Sequence, residues 1–244
     1  WRADKPATLF WCEATDGGNP TKEVEFRDQL FCSDAPFDVH KSICFIKNRF
    51  ANIIFGNENL AIVEDSWWKN RNTRTYIINP SKSLDSLLSR SINVVFDRSS
   101  EDLYKNPGSF ISKFDESSHR ETLLLSKDKK KAYLNGEGYS PDGNKPFMDE
   151  IDLSTFARTR LWQADGISTY EKLVKVLDIN SKTILTRIES PSSFPNLYIR
   201  KLSSNKNPEA VTFRENPYKS IENITKKKIN YLRKDGVSLS ATLY

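Results

Sequence analysis

The chain has 244 residues, 37% hydrophobic and 28% charged, and its 37 lysines and arginines against 32 aspartates and glutamates leave a net charge of +5. This balance fits a globular chain large enough for a sizeable core, and apolar runs such as Leu60-Ala-Ile-Val63 fall far short of the roughly 20 residues of a membrane helix. Basic residues are spread evenly apart from Lys129-Lys130-Lys131 and Lys226-Lys227-Lys228, and no basic stripe interleaved with stacking aromatics suggests a nucleic-acid groove.

In chain order, short apolar or β-branched runs bounded by Asn, Asp, Gly, Pro or Ser predict strands at residues 53–55, 60–64, 75–78, 94–96, 122–125, 132–134, 173–177, 183–188, 197–202 and 210–213. Helical spacing is scarce: 84–88 has room for one turn, and 168–176 fits either period. Asp128-Lys-Lys-Lys131 sits between two apolar runs, the place of a solvated hairpin tip. In Ser140-Pro-Asp-Gly143, Pro fixes the first central residue of a tight turn and Asp-Gly completes it. Residues 229–244 read as two alternating strands around Lys234-Asp235-Gly236, with Val237, Leu239, Ala241 and Leu243 on one face. A hairpin of this kind belongs at the opening of a domain, and Trp1 is neither an initiator Met nor the start of a signal peptide. We therefore expect a piece of a larger protein.

Similar closing strands recur at Ile43-Cys-Phe45, Val94-Val-Phe96, Leu161-Trp162 and Val211-Thr-Phe213, and the steps from Phe45 to Phe96, Trp162 and Phe213 are 51, 66 and 51 residues. Units of roughly 40 to 50 residues with insertions are the length of propeller blades. The expected fold is all-β, a partial β-propeller of four to five four-stranded blades. The expected division is residues 1–228 for the propeller segment and 229–244 for the first strands leading into an absent domain.

Reactive chemistry is sparse. Gly138-Tyr-Ser-Pro-Asp-Gly143 approaches the Gly-x-Ser-x-Gly elbow of α/β-hydrolases, but Asp142 replaces the second glycine and Pro141 removes the N–H that an oxyanion hole needs after the serine. His40 and His119 have polar neighbours and no serine or cysteine elbow nearby. Cys12, Cys32 and Cys44 form no Cys-x-x-Cys pair, and Cys32, His40 and Cys44 match no zinc spacing, so buried small hydrophobes are the better reading. The compartment stays open. No Gly-rich phosphate loop is present, and neither cofactor, metal nor catalytic residue is assigned. Asn223-Ile-Thr225 fits a glycosylation acceptor, a pattern common by chance.

Longer strings say more. Glu64-Asp-Ser-Trp-Trp-Lys-Asn-Arg-Asn-Thr-Arg-Thr-Tyr-Ile-Ile-Asn-Pro80, Phe96-Asp-Arg-Ser-Ser-Glu-Asp-Leu-Tyr-Lys-Asn-Pro-Gly-Ser109, Phe10-Trp-Cys-Glu-Ala-Thr-Asp-Gly-Gly18, the segment 133–147, Ile188-Glu-Ser-Pro191 and the 231–244 tail resemble, in order, the glutamyl endopeptidase branch of the prolyl oligopeptidase family. The resemblance implies an N-terminal β-propeller over a C-terminal α/β-hydrolase domain that holds the Ser, Asp and His triad. On that reading the triad lies outside this chain. It also implies a cap that admits peptides and excludes folded proteins, with cleavage after acidic residues. A substrate carboxylate calls for a cationic partner, best an arginine fork, and Arg71, Arg74 and Arg98 are the candidates within the two longest strings. The competing reading is an arginine that holds adjacent blades through Glu64, Asp65, Asp97, Glu101 or Asp102. Trp67-Trp68 is either a binding platform or one core ring beside one exposed ring, since successive strand residues face opposite ways.

Two function classes result. The first is a noncatalytic cap and substrate filter of a serine peptidase, whose partners are its own hydrolase domain and peptides. The second is a stand-alone propeller that binds a protein or glycan.

Overall fold

A computed structural model describes residues 1–84, 92–166, 169–204, 206–221, 224–225 and 227–244. The chain forms two compact units, residues 1–139 with 148–161, and residues 140–147 with 162–244.

The first unit opens with an antiparallel three-stranded sheet of β1 (Thr8–Ala14), β2 (Asp28–Asp34) and β3 (Lys41–Ile46). A four-stranded meander follows, built from β4 (Arg49–Asn57), β5 (Leu60–Trp67), β6 (Asn72–Ile78) and β7 (Asn93–Ser99) in sequential order. The third sheet takes β8 (Ser109–Phe110), β11 (Lys131–Gly136), β12 (Phe147–Asp152) and β13 (Arg158–Gln163), with the hairpin β9 (Ser112–Asp115) and β10 (Arg120–Leu123) inserted after β8.

The run Leu60-Ala-Ile-Val63 explains how these sheets stack. An unbroken apolar strand has both faces to bury. Ala61 and Val63, with Phe55, Tyr76 and Ile78, join Leu30, Cys32, Ile43, Cys44 and Ile46 of the first sheet in one core cluster. Leu60 and Ile62 face the other way and join Phe110, Leu123, Leu134 and Ile151 in a second cluster. The middle sheet is thus buried on both sides, as a blade between two blades is.

A buried polar knot pins the link from the first sheet to the second. The Asp65 carboxylate, fully buried, accepts hydrogen bonds from the Asn48 backbone N–H (2.9 Å), the Asn48 side-chain amide (2.9 Å) and the Tyr76 hydroxyl (2.6 Å).

The second unit holds a four-stranded meander of β14 (Tyr170–Asp178), β15 (Thr183–Ser190), β16 (Ser193–Lys201) and β17 (Glu209–Ala210), and a hairpin of β18 (Lys227–Leu232) and β19 (Ser238–Leu243). Arg200 grips the buried Glu171 carboxylate with two nitrogens, at 3.0 and 2.7 Å. The final hairpin closes as its sequence implies: the Gly236 N–H donates to the Arg233 carbonyl (2.9 Å), and Gly236 takes φ 83.

The all-β expectation holds, and the closing strands at Phe45, Phe96 and Trp162 are the last strands of the first three sheets. Phe213 lies just past the short β17. Among the described residues there are three four-stranded sheets and one three-stranded sheet, at the lower end of the four to five blades expected. The tip at 127–130 is a turn, with the Lys129 N–H donating to the Ser126 carbonyl (2.9 Å). The ambiguous stretch resolves as β14 from Tyr170 onward, while Ser168 lies outside the described residues, as do 85–88 of the helical-turn expectation, Asn223 of the glycosylation pattern and Lys226. No helix among the described residues is long and apolar enough to cross a membrane.

Candidate functional site

The register of β5, β6 and β7 decides where the candidate arginines go. Glu64, Thr75 and Phe96 lie side by side, and one step along the same face lie Thr73 and Arg98. With Asn106, Pro107, Gly108 and Ser109 of the loop into β8, they enclose a polar cavity of about 140 Å³. Gly108 is required there: its φ is +85, and a Cβ would fall 2.5 Å from the Asn135 carbonyl oxygen. Its N–H donates to the Asn106 side-chain oxygen (3.0 Å).

Inside this cavity Glu64 is half-buried, and burial pushes its carboxyl pKa upward while the Arg98 charge and an Asn52 hydrogen bond pull it back. Arg98 donates to the Ser99 carbonyl through Nη1 (2.9 Å). The arrangement suits a polar, side-chain-sized group that needs both a cationic fork and hydroxyl or amide partners.

Arg74 points to the opposite face, in the row Asp65–Arg74–Asp97. It binds Asp97 at 2.9 and 2.8 Å. Asp97 is pulled below the usual carboxylate range: burial opposes this, but hydrogen bonds from Asn72 and Arg74 outweigh it. Arg71 occupies the β5–β6 turn with φ 54 and sits 3.4 Å from Glu101. The three arginines therefore form no common site, and of them only Arg98 lines the cavity. Of the three, Arg74 and Arg71 pair within one sheet or turn, through Asp97 and Glu101.

Trp67 and Trp68 divide as strand alternation requires. Trp67 is buried, with the Arg27 guanidinium 3.6 Å from its ring centre, whereas Trp68 is 63% exposed. The Ser140 hydroxyl donates to the Gly143 carbonyl (2.7 Å) and so completes its turn. His40 packs edge-on against Trp11 and Phe31, and His119 against Phe114. The three cysteines are free thiols, and burial pushes Cys12 and Cys44 up to about 12, which leaves them protonated and unreactive at neutral pH. Among the described residues no group of three or more His, Cys, Asp or Glu is placed to hold a metal.

Sequence reasoning reached Arg98 and Glu64 but missed Thr73, Thr75 and Asn106 as cavity walls. The period-2 spacing of Thr73 and Thr75 on β6 was the available signal, visible only once β5, β6 and β7 are set in register, whereas Asn106 lies in the loop into β8 and carries no such signal.

No family model matches the sequence. The chain is 36% identical over 264 residues to a probable chloroplastic glutamyl endopeptidase of Oryza sativa subsp. japonica, and 35% identical over 265 residues to one of Arabidopsis thaliana. The matches cover all of this chain but 27% and 26% of those proteins, so it spans about a quarter of their length. Among solved structures, oligopeptidase B from Trypanosoma brucei matches with a TM-score of 0.49 at 10% identity, over 97% of this chain and 37% of that one. The β-propeller domain of the Trilobed protease from Pyrococcus furiosus matches with a TM-score of 0.42 at 13% identity, over 98% of this chain and 62% of that one.

Proposed function

We propose that this chain is a member of the glutamyl endopeptidase branch of the prolyl oligopeptidase family and forms the noncatalytic propeller segment of a serine peptidase, capping an α/β-hydrolase domain that carries the triad. The observation that supports this most is the match along the whole chain to proteins named as glutamyl endopeptidases, in a segment whose sheets have blade topology. Residues 1–228 form the propeller segment on this reading, and 229–244 begin the passage into the catalytic domain. The cap filters by shape: stacked sheets over a cleft admit peptides and hold folded proteins out.

Arg98 is the arginine we assign to substrate. It shares its cavity with Glu64, so an arriving carboxylate must compete for the guanidinium with a carboxyl whose ionisation burial already disfavours. Protonation of Glu64, or its displacement, frees the fork for a substrate Glu or Asp. In the full-length enzyme, Arg98→Ala is expected to lower the preference for Glu over Gln substrates by about 10- to 100-fold, the worth of one charge-assisted hydrogen bond or pair. Arg71→Ala and Arg74→Ala are expected to leave that preference unchanged. An unaltered Glu/Gln ratio in Arg98→Ala removes Arg98 from the site.

A further inference from the structure

We propose that the cleft between the N-terminal turn and the β9–β10 turn binds a small organic anion, a carboxylate or phosphate ester, through Arg120, Lys5 and the Ser118 hydroxyl. The cleft measures about 410 Å³ and is walled by Asp4 and Lys5 on one side and by Asp115, Ser118 and Arg120 on the other. That size lies within the ~300–1,000 Å³ of small-molecule sites and is generous for a bare inorganic ion.

Its walls are held in place from behind. Arg2, 1% exposed, grips both Asp4 oxygens at 3.0 and 2.7 Å and donates to the Pro80 carbonyl (2.9 Å) and the Ser81 hydroxyl (3.2 Å). The Arg2 N–H donates to the Thr8 carbonyl (2.9 Å), which closes the turn. Arg120 is anchored in turn by one amino group on the Arg2 carbonyl.

Charge accounting then favours an anion. Both carboxylates in the wall are already engaged: Asp4 by Arg2, and Asp115 by the Ser117 hydroxyl (2.7 Å) and N–H (2.9 Å). The Ser117 hydroxyl, its N–H and the Ser118 N–H together hold Asp115 below the usual carboxylate range. The cations are less engaged. Of the five N–H donors of a guanidinium, Arg120 spends one on Arg2. Lys5 stands 3.9 Å from Asp34, which also takes Lys41 (3.5 Å) and the Thr8 hydroxyl (2.6 Å). The Ser118 Oγ is shut away from solvent with no hydrogen-bond partner among the described residues, an uncommon state for a hydroxyl unless a ligand or water completes it. Asp115 keeps its charge, since the Ser117 hydroxyl and N–H that hold it are neutral, but Arg120 and Lys5 together outweigh it, so an oxyanion finds a fork, an ammonium and a hydroxyl.

Calorimetric titration of the 244-residue chain with N-acetylglutamate and, separately, glycerol 3-phosphate tests this and tells the two anion classes apart. Saturable one-to-one binding of either probe with a dissociation constant near or below ~1 mM is expected. Lys5→Gln should weaken it about tenfold, Lys5→Gln with Arg120→Gln further, and Ser118→Ala several-fold, each in line with the loss of a charge-assisted or buried hydrogen bond. Lys5 is a surface residue, so its variant reads out binding even if the double variant folds poorly. Absence of saturable binding by both probes up to ~10 mM, or binding that is unchanged in Lys5→Gln, overturns the proposal.

Discussion

Replacing Asp65 by Ala perturbs the knot that joins the first sheet to the second. The side chain is fully buried, and its loss takes the acceptor from the Asn48 N–H, the Asn48 amide and the Tyr76 hydroxyl. The Asn48 amide keeps Asn72 Oδ1 as a partner at 2.8 Å, so the backbone N–H and the phenol are the groups left stranded. At about 1–3 kcal/mol for each orphaned buried donor, the substitution should cost roughly 2–6 kcal/mol. Desolvation raises the Asp65 pKa, with the Tyr76 and Asn48 hydrogen bonds and Arg74 acting against it, so part of the cost is returned when the buried charge disappears. A net loss of about 3 kcal/mol is the expectation. Urea unfolding followed by tryptophan fluorescence measures it, and with a slope of about 2–3 kcal/mol/M the midpoint should fall by at least ~1 M. Tyr76→Phe alone should cost about 1 kcal/mol, and the double variant should cost less than the two singles combined because the pair shares one hydrogen bond. A midpoint within ~0.2 M of the parent chain, or strict additivity, refutes the reasoning.

Two other outcomes can be checked on the same chain. Gly108→Ala places a Cβ at 2.5 Å from the Asn135 carbonyl in a left-handed backbone, so it should destabilise by more than ~2 kcal/mol in the same urea assay; parity with the parent would mean that the loop into β8 is not held against β11. Asp152 is held below the usual carboxylate range by the Ser154 hydroxyl, the Thr155 N–H and the Ser154 N–H. Its stabilisation is therefore present above the unfolded value near ~3.9 and is lost as pH falls toward the lower folded value, so the gap in stability between the parent chain and Asp152→Asn should narrow below about pH 4, and a gap that widens would contradict the assignment.

How much of this was legible in the sequence depends on what each residue needed as a partner. Leu60-Ala-Ile-Val63 is readable alone, because an unbroken apolar run in a strand requires cover on both faces, and the two core clusters supply it. The repeat of closing strands was also visible, since Phe45, Phe96 and Trp162 fall at equivalent places in successive sheets. Strands β1, β2, β8, β9 and β12 were not predicted. In β12, Phe147-Met-Asp-Glu-Ile-Asp152, a buried Asp149 interrupts the apolar signal, and the Arg160 side chain from β13 pairs with it and makes that burial tolerable. In β1 and β2, Trp11 and Phe31 stack across the outer face at 5.6 Å, an arrangement that short-range periodicity does not reveal. The site divides the same way. Asp97 and Glu101 were foreseeable partners for nearby arginines, but whether Arg74 and Arg98 share a face depends on the register of three strands, which places them on opposite sides.

Labelling of the full-length protein with a fluorophosphonate, followed by peptide mapping, tests most directly whether this segment is a cap rather than a catalyst. The account predicts a single labelled serine outside residues 1–244, and no labelling of the 244-residue chain by itself. A phosphonylated serine within these residues would contradict it.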